Sequence, residues 1–313
     1  MSLDRSALSF LARSRASGVS LAQPATIGRQ GMVVSAADIR HALVVAGADP
    51  TGASSCAGQW LDPFLECLGA QRIVSVDASD YEGASVVHDL NLPIPADMEG
   101  KFSAVIDVGS LEHIFDFPVA IRNLMRMVEV GGHLILVMPT NNEPGHGFYQ
   151  FSPELLFRVL SPRYGFEVEE MLIRELGRPF GRWHRVADPE VVGQRAQFRS
   201  RAVTYLFIRA RRTGSIPDFH PPPQQSDYSA AWKARKFGEV ARPGSVDVLA
   251  SLGQRVSSRA TEVPWLSRPL GWSLAWARQI RMFHRVRYTR LPSHFSRVRG
   301  FRGDRRRGTS QRP

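Results

Sequence analysis

The sequence predicts an α/β fold: a mostly parallel sheet with an antiparallel end, followed by a basic C-terminal extension. Three observations predict it. The 313-residue chain carries short, mostly apolar runs, such as AVIDV at 104–108 and HLILVM at 133–138. Runs of that kind mark strands covered on both faces. Between these two, Ile121, Leu124, Met125 and Val128 recur at i, i+3, i+4 and i+7, one apolar stripe along a helix. A strand–helix–strand unit of this length is a right-handed parallel crossover. The predicted element order, βαββ–βαβ–α–ββ, closes on two strands at 166–173 and 202–209, which supply the antiparallel end.

Each element has its own justification. Residues 1–40 read as an N-terminal helical segment, with Leu8, Leu11 and Ala12 on one face and interruptions at Gly18 and Pro24. ALVVAGADPTG, from Ala42, reads as the first buried strand and a glycine-containing loop. Asp62 and Pro63 start a helix that Gly69 ends. The second strand, 72–76, stops at Asp77, and the third, 84–88, stops at Asp89. After the fourth strand, Asp116 and Pro118 start the striped helix, and Gly131 and Gly132 are expected to end it through a left-handed C′ position. Residues 179–201 read as a long loop, and AVTYLFIR at 202–209 is rich in β-branched and aromatic residues. The expected division is an N-terminal segment 1–40, a catalytic-type domain 41–213, and a linker with a basic extension 214–313.

Charge is unevenly placed. Residues 1–214 hold 21 Lys+Arg against 23 Asp+Glu, whereas residues 215–313 hold 19 against 6, so the net +11 lies in the last third. HPPPQQSDYS, from His220, reads as an extended, solvated linker. Beyond it, Trp265, Trp272 and Trp276 alternate with arginines, and the RGFRGDRRRGTSQRP terminus is expected to be disordered. Three roles stay open for this extension: a solvated tail, an interfacial helix on an anionic membrane, or a nucleic-acid contact for which no RNA-binding motif speaks. Cys56 and Cys67 make neither a disulfide framework nor a metal set, so no metal and a reducing, cytoplasmic setting are expected. No signal peptide and no membrane span are read.

Chemistry should lie beyond the carboxyl ends of the strands, where ligands bind in open α/β sheets. Asp77 there can accept both ribose hydroxyls, since a carboxylate offers two oxygens side by side; a turn cap is the competing role. Asp89 can accept from an adenine amino group with Leu90 against the ring, or simply close the HDLNLP turn. The loop after the presumed first strand carries Gly47 but neither GxGxxG nor GxxxxGK[ST], which disfavours a pyrophosphate or triphosphate. A nucleoside without phosphates fits better.

The blocks SVDASDYEGA, VVHDLNLP, FSAVIDVGSLEHI and MVEVGGHLILVMPTNN together resemble the class I S-adenosylmethionine-dependent methyltransferases. HGFYQFSPELLF resembles a subset in which a histidine–aromatic loop precedes the next helix. The similarity spans about residues 40–210. It implies a Rossmann-like, seven-stranded sheet with a reversed last strand, and S-adenosyl-L-methionine held at the strand tips by Gly47, Asp49, Asp77, Ala78, Asp89, Leu90 and Gly109. It also implies methyl transfer to a small-molecule or glycan-type acceptor. The first loop departs from the family pattern: Val45 stands where the family carries an acid, and Asp49 and Thr51 replace two glycines. Asp49 is the candidate substitute for that acid. A non-catalytic binding protein on the same fold is the alternative this departure raises. His113 and His146 are the candidate bases, because imidazole titrates near neutrality; for His113 a helix-start role competes. Tyr149 and Phe151 serve either an acceptor pocket or the core.

Overall fold

Strand pairing in the computed structural model, which describes residues 2–176, 183–192, 198, 200–229 and 232, confirms the α/β architecture. In chain order the elements are β1 (Ser2–Leu3), α1 (Arg5–Ala16), β2 (Pro24–Ile27), β3 (Gly31–Met32), α2 (Ala36–Ala46), α3 (Asp62–Cys67), β4 (Val74–Asp77) and β5 (Val86–Val87). They continue with β6 (Phe102–Val108), α4 (Phe117–Met127), β7 (Val128–Asn141), α5 (Pro153–Val159), β8 (Phe166–Glu175), β9 (Trp183–Arg185), α6 (Pro189–Val192) and β10 (Thr204–Arg212). The main sheet has the order β5-β4-β2-β6-β7-β10-β8-β9. Neighbours from β5 to β7 are parallel, and β10 runs antiparallel to both β7 and β8. The reversed last strand therefore lies inside the sheet, and β9 adds one antiparallel edge strand to the expected seven.

Both faces are covered, which is why the central strands are continuously apolar. Along β6, Val105 joins α4 residues Ile121, Leu124 and Met125 in one core. Ala104, Ile106 and Val108 join α1, α2 and α3 residues such as Leu11, Leu43 and Phe64 in the other. Leu124 is fully buried; truncating such a leucine to alanine costs about 2–5 kcal/mol.

Several expectations are corrected. The segment from Ala42 is not the first strand but the second half of α2. Ser35 and Asp38 form a reciprocal capping box at its start, and Gly47 (φ 73°) ends it in the left-handed region. Ile39, Ala42 and Leu43 are its buried face, at helical spacing. The first strand of the parallel sheet is instead β2, whose Ala25 pairs with both Val74 and Val105. The sheet thus begins near residue 24 rather than 41. Helix α4 starts as expected, with Asp116 accepting from Val119 N, but it ends at Met127. Val128 already pairs with Phe102, so Gly131 and Gly132 lie inside β7 at a register shift. There a Cβ on Gly132 would sit 2.8 Å from the Ser103 carbonyl oxygen.

The proline-rich stretch after residue 214 is anchored to the sheet domain at several points where it is described, although Pro221, Pro222, Gln224 and Gln225 stay exposed. Phe219 packs edge-on against Tyr164 with ring centroids 5.0 Å apart, and the Tyr164 hydroxyl donates to the Pro221 carbonyl at 2.8 Å. Ser226 N donates to Glu154 at 2.7 Å. These contacts lay the chain back along α5 rather than away from it. The tryptophan–arginine region and terminus lie outside the described residues.

Cys56 and Cys67 are joined in a disulfide, their Cα atoms 6.4 Å apart, within the range a bridge needs. The loop before α3 folds back to bring them together, so these two cysteines do not point to a reducing compartment. Among the described residues no helix is long and apolar enough to cross a membrane.

Candidate functional site

The chain runs from β2 outward through β4 to β5 on one side, then returns to β6 and β7 on the other. A crevice opens at such a switch point, beyond the strand ends. Three strand tips meet there. Gly28, directly after β2, has φ 68° and donates its N–H to the Val76 carbonyl at 2.7 Å. A Cβ on Gly28 would lie 3.5 Å from Ser110 Oγ and 3.6 Å from Asp77 Oδ2. Ser110, past the tip of β6, donates its hydroxyl to the Ile27 carbonyl at 2.9 Å. The only hydrogen bond shown for the Asp77 carboxylate among the described residues is a long one from Ser79 N, 3.4 Å, so its acceptor capacity is largely unspent. Ala78 follows it, and Gly109 (φ 87°) makes the turn out of β6.

The remaining expected nucleoside contacts are placed differently. Gly47 ends a helix, and exposed Asp49 caps the short 3-10 helix Pro50–Ser54 through Thr51 N at 2.9 Å. Neither follows a strand, so neither belongs to the strand-tip crevice. Asp89 Oδ1 accepts from Asn91 N and Nδ2 at 2.9 and 2.7 Å. Those bonds hold its carboxyl below the usual carboxylate range, as in an Asx turn. Leu90 is buried in the core rather than offering a face to a ring. Gly28 and Ser110 were missed as partners of Asp77. The signal for Gly28 was available in PATIGRQG, a short β-type run ending in glycine, but Pro24 was read as an interruption.

A second cluster lies past the tips of β6 and β7. Glu112 and His113 sit on the 3-10 turn Leu111–His113, while His146 comes from the loop after β7. The two imidazole rings have centroids 5.0 Å apart, and His146 Nε2 is 3.7 Å from Glu112 Oε1. Sequence reasoning named both histidines but not their contact. Asn142 (φ 61°) re-aims this loop, anchored by its Nδ2 to the carbonyls of Ser200 and Ala202 at 2.7 and 2.8 Å. Phe148 N donates to the Glu112 carbonyl at 2.7 Å. A Cβ on Gly147 (φ 73°) would come within 2.6 Å of that oxygen, so only glycine lets the loop lie on Glu112.

Burial sets the electrostatics. Glu112 is fully buried, and neither carboxylate oxygen has a hydrogen-bond partner among the described residues. Burial, with Asp107 and Glu143 nearby, pushes its carboxyl up to about 8. Buried Asp107 is pushed up to about 6 although it accepts from Ser110 N and Leu111 N at 2.8 and 3.2 Å. Burial and then the neighbouring His146 lower His113. Tyr205, on the reversed strand, is raised by burial and by its hydrogen bond to Glu143. Around the loop, the Tyr149 hydroxyl donates to the Phe115 carbonyl at 2.6 Å. Phe151 is core, and a cavity of about 220 Å³ beside it is lined by Thr140, Asn141, Gln150 and Ser152.

No protein-family model matches the sequence, and no curated protein matches it. Among solved structures, a Burkholderia thailandensis 1,6-didemethyltoxoflavin-N1-methyltransferase with bound 1,6-didemethyltoxoflavin and S-adenosylhomocysteine is 15% identical (TM-score 0.38), covering 67% of this chain and 80% of that one. The N-methyltransferase NodS of Bradyrhizobium japonicum in complex with S-adenosyl-L-homocysteine is 16% identical (TM-score 0.37), covering 66% and 84%. The [4+2]-cyclase SpnF is 16% identical (TM-score 0.37), covering 67% and 80%. Likenesses this distant carry no weight for function.

Proposed function

We propose that this chain is an S-adenosylmethionine-dependent methyltransferase acting on a small-molecule or glycan-type acceptor. The observation that carries the reading is the meeting of Gly28, Asp77 and Ser110 at the switch point of a sheet with the reversed last strand the family resemblance implied. Asp77 accepts the two ribose hydroxyls. Gly28 leaves open the space a side chain would fill, letting a nucleoside approach the backbone, and Ala78 and Gly109 complete that wall. The single Gly28–Gly31 spacing is no phosphate cradle, so a phosphate-free nucleoside fits the loop.

When bound, the cofactor supplies an electrophilic methyl on a sulfonium. The chain's own work is to align an acceptor in line with that methyl and to take its proton where the nucleophile is a hydroxyl. His113 and His146 lie on the loops past β6 and β7, and a neutral imidazole nitrogen there is proposed to receive that proton. Calorimetric titration with S-adenosylhomocysteine tests the reading; no heat at millimolar ligand would refute it.

One observation favours a second reading, a non-catalytic binding protein. The residue two before Gly28 is Thr26, where the family carries an acid. Nucleoside binding without methyl transfer to any acceptor would support that alternative. The basic extension is proposed to attract an anionic membrane surface.

A further inference from the structure

We propose that Glu112, His113 and His146 form a binding site for a first-row divalent transition cation. One potential ligand atom from each of the three lies within 4.8 Å of the others. Ligands at roughly 2.0–2.2 Å around a tetrahedral cation are about 3.4 Å apart. His146 Nε2 and Glu112 Oε1, 3.7 Å apart, are already near that spacing. Closing the widest separation takes a shift of at most about 1.4 Å, within reach of side-chain rotation.

The second observation is what the buried groups lack. Glu112 is wholly buried, yet among the described residues neither of its carboxylate oxygens has a hydrogen-bond partner, and the same holds for the buried Nε2 of His146. Buried polar atoms are nearly always partnered, and a buried bare carboxylate is costly. A cation between the two satisfies all of these atoms at once. The loops are also locked in register for it: Phe148 N donates to the Glu112 carbonyl at 2.7 Å, and His113 N to the Ser110 carbonyl at 3.0 Å.

The donor set selects the ion. Two imidazoles and one carboxylate suit Zn²⁺, Fe²⁺, Co²⁺ or Mn²⁺ better than Mg²⁺ or Ca²⁺, which prefer oxygen throughout. Both cysteines of the chain are in the disulfide, so no thiolate competes. Three protein ligands leave at least one coordination position open. This narrows the acceptor to one with a hydroxyl able to enter that position, where the cation's charge lowers the hydroxyl pKa. With the ion bound, the two imidazoles hold it and the acidified hydroxyl gives its proton to solvent water; without the ion, an imidazole takes that proton. The acceptor clause rests on the methyltransferase reading; cation binding does not.

The test is equilibrium dialysis of the chelator-treated, untagged full chain against Zn²⁺ or Co²⁺, with bound metal quantified and Co²⁺ followed by its visible d–d absorption. One equivalent per chain is expected, unaffected by excess Mg²⁺. Loss of even an outer-shell partner costs about 10–100-fold in metal affinity. Removing a ligand in Glu112→Gln or His146→Ala should therefore weaken uptake more than about 100-fold, while His41→Ala keeps it. Circular dichroism confirms that each variant is folded, and His113→Ala substitutes for any that is not. Substoichiometric uptake would overturn the proposal, leaving a protonated Glu112 or a plain His146–Glu112 ion pair. Uptake unchanged in both ligand variants would overturn it too, placing the ion elsewhere. Titration of the metal-free chain with S-adenosylhomocysteine separates the two ideas. Nucleoside binding without metal uptake sinks only the cation site, and metal uptake without nucleoside binding sinks only the methyltransferase.

Discussion

Replacing Asp77 with alanine removes a carboxylate that does little for the fold and, on the proposed reading, much for the ligand. Among the described residues its only hydrogen bond comes from Ser79 N at 3.4 Å, near the outer limit for such a bond. Its loss should change folding stability by less than about 1 kcal/mol. Against a nucleoside the same group accepts two ribose hydroxyls. Hydrogen bonds to a charged group are worth roughly 1.5–3 kcal/mol each. Losing two weakens binding by about 3–6 kcal/mol, which at 1.4 kcal/mol per decade is at least about 100-fold in Kd. Asp77→Asn, retaining one acceptor oxygen without the charge, should fall between. The assay is calorimetry with S-adenosylhomocysteine beside a thermal melt of each variant. A wild-type Kd that Asp77→Ala moves by less than about threefold, with an unchanged melt, would refute the placement of the ribose. A collapse of the melt would refute the claim that this carboxylate is spare.

Four further outcomes are expected. Gly28→Ala and Gly47→Ala both force a side chain into the left-handed region (φ 68° and 73°). Each should cost about 1–2 kcal/mol of stability, seen in urea midpoints, but only Gly28→Ala should abolish nucleoside binding; equal binding in the two would place the ligand elsewhere. Reducing the Cys56–Cys67 bridge, which spans 11 positions, should lower stability by about 2–3 kcal/mol; Cys56→Ser should match the reduced wild type and ignore reductant. His133 is lowered below its unfolded value of 6.5 by burial. Its unfolded form therefore binds the proton more readily, and stability present above 6.5 is lost as pH falls toward the folded value. Urea midpoints measured between neutral and acid pH should show a shallower acid loss in His133→Gln. Pelleting with anionic vesicles should disappear on truncation after Trp232, which spares the packed segment around Phe219; pelleting that survives truncation would remove the membrane role.

How far the sequence reaches depends on the element. The runs in β6 and β7, the α4 stripe from Ile121 and the Asp116 cap are local patterns, and the structure reproduces them with only their ends moved. Helix α2 was equally local: Ser35, Asp38 and Gly47 are start and stop signals, outweighed by the apolar look of ALVVA. The four-residue β2 is a different case. A strand that short has no period to detect, and it becomes central only because β4 and β6 pair with it on either side.

By itself, the sequence determined the α/β class, the burial of its strands, an acid at a strand tip, and the separation of basic charge into the last third. Those are properties of neighbouring residues and of composition, set by local backbone preference and by which side chains leave water. Tertiary structure alone decided that Gly28 and Ser110 stand beside Asp77, that Cys56 reaches Cys67, and that His146 closes on Glu112 and His113. Each of these joins segments whose spacing along the chain carries no information about distance. The physical reason is that strand order and loop register, not sequence separation, determine which strand ends share one crevice.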